Sequence, residues 1–143
     1  MKRVSPEEAL GLMEKDGYVY VDVRSVPEFE AGHPKNALNI PIMHFTPEAG
    51  MSPNPDFAAV VAANLPREAR IVVGCKSGGR SARACETMAE MGYVNVANVR
   101  GGFGGATDNV GRVIEPGWSM LGLPTSTECG DDARYEKLSA KAR

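Results

Sequence analysis

Apolar positions fall in short clusters parted by charge, glycine and proline, and the spacing inside each cluster predicts its element. Ser5-Pro6-Glu7-Glu8 has the form of a helix start, with Ser at the cap, Pro in the first turn and Glu three positions on. Ala9, Leu10, Leu12 and Met13 supply the apolar face, and Gly17 ends it. Residues 18–23 are rich in β-branched and aromatic side chains and predict a buried strand. A short helix over 27–31 stopped by Gly32, and a short strand over 37–40 ended by Pro41, follow. Pro47, Gly50, Pro53 and Pro55 predict a loop over 46–55. Residues 57–65 read as a helix with Phe57, Val60, Val61 and Leu65 on one face. Ile71-Val72-Val73 is a short apolar strand, 74–79 a loop, and 80–91 a helix with Ala82, Cys85, Met88, Ala89 and Met91 facing inward before the stop at Gly92. Residues 94–99 predict another strand.

Strands and helices thus alternate with short connections. That pattern predicts an α/β fold, a central parallel sheet with helices on both faces. Gly101, Gly102, Gly104 and Gly105 make a glycine-rich turn, and 117–124 a last helix or turn. Residues 1–124 are expected to form the domain. Residues 125–143 are polar and are expected as a loosely held C-terminal tail, with helical character from Asp132.

A chain of 143 residues suits one domain. At that size one core can bury roughly 68% of the unfolded surface without a metal or a disulfide. Sixteen basic and 18 acidic side chains leave a net charge of −2, so the whole chain offers no field for nucleic acid or an acidic membrane. No apolar run approaches the roughly 20 residues a membrane helix needs, and no signal-peptide stretch follows Met1-Lys2-Arg3. Three cysteines, an odd number, fit a reducing compartment better than a disulfide framework. A cytoplasmic location is expected.

The chemistry concentrates in Ile71-Val72-Val73-Gly74-Cys75-Lys76-Ser77-Gly78-Gly79-Arg80-Ser81, a buried strand, a cysteine, a glycine-containing loop and a helix start. Ligands of open parallel sheets bind outside the carboxyl ends of the strands, where Cys75 falls. The following helix offers free N–H groups and the positive end of its dipole. Successive N–H groups in a tight turn form an anion nest, and Gly78 and Gly79 permit its backbone angles. Such surroundings favour a thiolate nucleophile that needs no general base. Lys76 and Arg80 add positive charge for an anionic donor, and Arg83 lies one turn further on.

Cys75-Lys76-Ser77-Gly78-Gly79-Arg80-Ser81 resembles the active-site loop of single-domain rhodaneses, the thiosulfate sulfurtransferase-like family. The upstream landmarks agree: Val21-Asp22-Val23-Arg24, Glu28-Phe29, Gly32-His33 and Ala37-Leu38-Asn39-Ile40-Pro41. So do Gly101-Gly102-Phe103, Gly117-Trp118 and Gly122-Leu123-Pro124 downstream. The likeness runs from Val4 to Pro124. It departs at His33-Pro34-Lys35-Asn36, where the family has a hydrophobic residue, Pro and Gly, and at Arg100, where an apolar or acidic residue is usual. The resemblance implies that Cys75 takes the outer sulfur of thiosulfate or of a persulfide donor, holds it as a persulfide, and passes it to a thiophilic acceptor. It also implies that Lys76, Ser77, Gly78, Gly79, Arg80 and Ser81 surround the substrate. The expected partners are a small sulfur donor and a thiol or cyanide acceptor, or a protein persulfide. No cofactor, metal, nucleic acid or membrane is expected.

Four residues separate Cys75 from Arg80. Phosphatases and arsenate reductases that resemble this domain have one more, which suits a tetrahedral oxyanion. The spacing favours sulfur transfer over that alternative. A non-enzymatic sulfide-sensing or binding module is a further one, disfavoured by the presence of the cysteine. Asp22, Arg24 and Glu28 are expected as structural support, with Arg24 paired to Glu28 and Asp22 satisfying loop groups. His33 is expected as a hydrogen-bonded structural residue, His44 at the surface or a pocket edge, and Trp118 as a core or rim aromatic. Cys85 is expected in the core. Cys129 is expected as an exposed thiol, or else as a resolving partner for Cys75. Neither histidine has a cysteine at metal-ligand spacing. The glycines at 101–105 match no phosphate-loop pattern and are expected as a turn flanking the pocket.

Overall fold

The computed structural model describes residues 2–143. In chain order its elements are β1 (Lys2–Val4), α1 (Pro6–Lys15), β2 (Val19–Asp22), α2 (Val26–Ala31), β3 (His33–Pro34), β4 (Leu38–Asn39), β5 (Met43–Thr46) and β6 (Gly50–Pro53). There follow α3 (Phe57–Asn64), β7 (Arg70–Gly74), α4 (Gly79–Glu90), β8 (Asn95–Val99), β9 (Ala106–Thr107), β10 (Val113–Glu115), β11 (Thr125–Ser126) and α5 (Tyr135–Ala140). Five strands form a parallel sheet in the order β1-β8-β7-β2-β4.

Pleating sends alternate side chains to opposite faces, which explains two separate cores. Val21, Val23, Ile71 and Val73 meet Val60 and Val61 of α3, Ala84, Cys85 and Met88 of α4, and Leu138 of α5. Tyr20, Val72, Ala97 and Val99 meet Ala9 of α1, Phe29 of α2 and the fully buried Trp118. Both faces are covered, as the near-continuous apolar strands predicted. Local signals set the helix starts. Ser5 and Glu8 form a reciprocal capping box with bonds of 2.8 and 3.1 Å.

Several expectations need correction. Residues 46–55 are not a plain loop: β5 and β6 pair as an antiparallel hairpin, with Phe45 opposite Met51. Its prolines fall in the turn and at the end of β6, where a missing N–H breaks little of the ladder. Gly50 takes a φ of +68° at the turn, and the Ala49 N–H donates to Thr46 Oγ1 at 3.1 Å. On α4 the inward stripe is Ser81, Ala84, Cys85 and Met88, spaced three and four apart, while Ala89 is exposed. Val94 is also exposed, and β8 begins only at Asn95.

The 125–143 segment is docked rather than loose. β11 pairs antiparallel with β3, and the Asn39 N–H donates to the Ala133 carbonyl at 2.9 Å. The helix begins at Tyr135, and its Leu138 is 2% exposed in the core, held beside Asn64 of α3, whose side-chain amide donates to the Leu138 carbonyl. No described helix is long and apolar enough to cross a membrane.

Candidate active site

The register of the sheet brings three polar positions to its carboxyl edge. Val21 is opposite Val73, and Val73 opposite Asn98, so Asp22, Cys75 and Asn98 come from adjacent strands. Cys75 follows the end of β7 and is 1% exposed, whereas Lys76, Ser77 and Gly79 around it are exposed. The Gly78 N–H donates to Cys75 Sγ at 3.0 Å, where Gly78 caps α4 with a φ of +127°. That left-handed angle points the amide back at the sulfur and is open to glycine at little cost. Among the described residues it is the one backbone N–H bonded to Sγ. The N-terminus of α4, with the positive end of its dipole, begins just beyond.

Ser81 lies beneath. Its Oγ is 3.4 Å from Cys75 Sγ and donates at 2.6 Å to Asn98 Oδ1, or at 3.1 Å to the Gly78 carbonyl. Ser81 is fully buried, so it is a support under the sulfur rather than a group lining an open site. Asn98 was missed in the sequence because it falls inside an apolar strand with no motif around it.

Arg80 is placed beside the loop, but its guanidinium is already occupied. It donates to Glu28 Oε1 at 2.7 Å and Oε2 at 3.0 Å. Glu28 also receives the Ser25 N–H and hydroxyl, which fixes it at the start of α2. Partial burial alone would raise the Glu28 pKa; the bonds from Arg80 and Ser25 outweigh it and lower the carboxyl to about 2. The same pairing with Glu28 holds Arg80 above its ordinary value.

The expected Arg24–Glu28 pair is therefore corrected. Arg24 instead binds Asp22, two residues back at the end of β2, in a buried fork of 2.8–3.1 Å. It also donates to the Gly32 carbonyl at 2.7 Å. Its guanidinium lies 4.3 Å from the centre of the Phe103 ring. Phe103 in turn donates its N–H to the Cys75 carbonyl, and Gly104 donates to the Lys76 carbonyl, both at 2.8 Å. The glycine-rich turn is thus the back wall of the Cys75 loop. Gly102 has a φ of +53°, and a Cβ there would collide with the Cys75 carbonyl.

His33 is buried, stacked on Phe29 with ring centres 3.7 Å apart, and donates through Nδ1 to the Phe29 carbonyl at 2.7 Å. His44 is partly exposed, edge-on to Tyr135. Trp118 donates Nε1–H to the Pro124 carbonyl at 2.8 Å. Cys85 packs in the same core cluster as Cys75, and burial pushes its thiol up to about 12. Cys129 is half-buried against the opposite cluster, so the two cysteines belong to different faces of the sheet. Burial raises its thiol as well. A cavity of about 240 Å³ lies between the β5–β6 hairpin and α4 and reaches the loop at Arg80.

A cysteine at the end of a central parallel strand, followed by a glycine-containing loop and a helix start, defines an α/β domain whose polar site lies at the carboxyl edge of the sheet. The family model described as Rhodanese-like domain matches residues 5–108, and the chain belongs to that family. Thiosulfate sulfurtransferase 16, chloroplastic, of Arabidopsis thaliana is 37% identical over 109 residues, covering 76% of this chain and 80% of that one. Protein HIGH ARSENIC CONTENT 1, mitochondrial, of the same plant is 42% identical over 92 residues, 64% of this chain and about half (54%) of that protein. Among solved structures, Rv0390 from M. tuberculosis has a TM-score of 0.73 at 27% identity, over 90% of this chain and 98% of that one.

Proposed function

We propose that the protein is a sulfurtransferase that moves a sulfane sulfur through a persulfide on Cys75, from thiosulfate or a persulfide donor to a thiophilic acceptor. The observation that carries this reading is the Cys75 sulfur itself, at the carboxyl end of β7 and receiving the Gly78 N–H at 3.0 Å. The short loop, with four residues between Cys75 and Arg80, fits one extra sulfur atom better than a tetrahedral oxyanion. The Cys75 thiolate attacks the outer sulfur of thiosulfate; its sulfur–sulfur bond breaks and sulfite leaves with the electron pair. An acceptor nucleophile then attacks the outer sulfur of the persulfide and regenerates the thiolate. Relatives named thiosulfate sulfurtransferase support the same chemistry.

Intact mass after incubation with thiosulfate tests it. Wild type gains one sulfur atom, Cys75→Ser gains none, and cyanide removes the atom as thiocyanate. Absence of any gain from thiosulfate and from glutathione persulfide would overturn the reading.

One observation favours a second reading. The relative HIGH ARSENIC CONTENT 1 is 42% identical over the aligned residues, and its name points to arsenic. On that reading Cys75 attacks an arsenate or phosphate centre. Thiol-dependent arsenate reduction, or aryl phosphate hydrolysis, that is lost in Cys75→Ser would support it.

A further inference from the structure

The cavity between the β5–β6 hairpin and α4, which meets the Cys75 loop at Arg80, has two unlike walls. Ile42 and Phe57 form part of an apolar wall, and both also pack in the cluster that contains Cys75. The opposite wall is one side of α4, with Arg80, Arg83 and Thr87 spaced three and four apart. Arg80 cannot serve as a free cation there, because Glu28 occupies both of its terminal nitrogens. Arg83 is exposed and, among the described residues, makes no ion pair. The chamber, at about 240 Å³, is larger than a small inorganic anion requires and approaches the size of small-ligand sites.

We propose that this cavity is the acceptor subsite and takes a small organic thiol bearing a carboxylate, with the carbon framework against Ile42 and Phe57 and the carboxylate on Arg83. The inference rests on the sulfurtransferase reading. The thiolate of the acceptor attacks the outer sulfur of the Cys75 persulfide. A new sulfur–sulfur bond forms as the bond to Cys75 Sγ breaks, and its electron pair returns to Sγ. The acceptor leaves as an organic persulfide, and no oxidant or reductant is consumed. Thr87 offers a hydroxyl to the same carboxylate one turn further along α4.

The test uses mercaptopropionate, which has the carboxylate, and mercaptoethanol, which lacks it. Unloading of the Cys75 persulfide is followed with both thiols in wild type, Arg83→Gln and Arg83→Lys. The expected result is a fall of about fivefold in the preference for mercaptopropionate in Arg83→Gln, expressed in KM, with partial rescue in Arg83→Lys; a partly exposed ion pair supports a change of that order. Equal losses with both thiols, or no loss, would overturn the subsite. Binding is measured separately, by NMR titration of the unloaded protein with mercaptopropionate. Shifts at Ala58 and Thr87 that weaken in Arg83→Gln support the subsite, and shifts that do not depend on Arg83 overturn it. A protein that binds the thiol in this way yet never loads sulfur would overturn the sulfurtransferase reading and leave the thiol-carboxylate site standing.

Discussion

Arg80 and Glu28 are 52 residues apart in sequence and meet through two bonds of 2.7 and 3.0 Å, tying the start of α4 to the start of α2. The sulfur loop is therefore fastened at its far end by a carboxylate from another element, and the arginine of the loop motif acts first as a fastener. The Glu28 carboxyl is lowered from 4.5 to about 2. A carboxylate depressed in the folded state stabilises fully above its unfolded pKa, and that contribution is lost as pH falls through the folded one. Glu28→Gln is expected to cost about 1–2 kcal/mol at neutral pH, as for a charge-assisted pair that is only partly exposed. Urea unfolding of both proteins across pH checks it. The gap should be steady above about 4.5 and narrow toward about 2; a gap indifferent to pH in that window would contradict the account.

Ser81→Ala removes the hydroxyl 3.4 Å from Cys75 Sγ and leaves Asn98 Oδ1, buried at 2.6 Å from it, without that donor. An unpaired buried acceptor costs about 1–2 kcal/mol. Sulfur loading is expected to slow by roughly tenfold, the kinetic equivalent of about 1.4 kcal/mol. Single-turnover mass spectrometry with thiosulfate measures the rate, and an unchanged rate would show that Ser81 supports the fold without touching the chemistry.

Gly102→Ala forces a Cβ into the Cys75 carbonyl at a left-handed φ of +53°. Strain and collision together are expected to cost about 2–4 kcal/mol. Gly111→Ala is the matched control: its φ is +85° but its Cβ would stand in open space, so about 1 kcal/mol is expected. Equal losses at the two sites in denaturant unfolding would mean that contact with the Cys75 loop adds nothing at Gly102.

Leu138→Ala removes a side chain that is 2% exposed in the core under α3. A loss of about 2–3 kcal/mol is expected from transfer and cavity effects. Thermal or urea unfolding reads it directly. A loss under about 0.5 kcal/mol, the size ordinary surface changes produce, would return the 125–143 segment to the status of a loose tail.

The polar residues of the site were legible to different degrees. Cys75 stood out because strand, cysteine, glycines and helix start are consecutive in the chain, and local order alone puts the sulfur at a strand end. Arg24 and Glu28 are visible as charged residues near a strand end, and their closeness in the chain alone pairs them with each other. The fork between Arg24 and Asp22, and the reach of Arg80 across to Glu28, depend on how α2 and α4 sit over the sheet. Asn98 gave no signal, because its importance comes only from lying one strand away from Cys75 in the register.

By itself the sequence determined the alternation of strands and helices, the parallel sheet with both faces covered, the helix starts at Ser5 and near Gly79, and the cysteine loop at the sheet's carboxyl edge. Those features follow from spacing, capping and backbone permissiveness, which act over a few residues. Tertiary structure decided what holds that loop: Ser81 on Asn98, Arg80 on Glu28, Phe103 and Gly104 on the carbonyls of Cys75 and Lys76, and the docking of Leu138. Each joins residues distant in the chain, and their meeting is set by strand order and register, which no short stretch of sequence encodes.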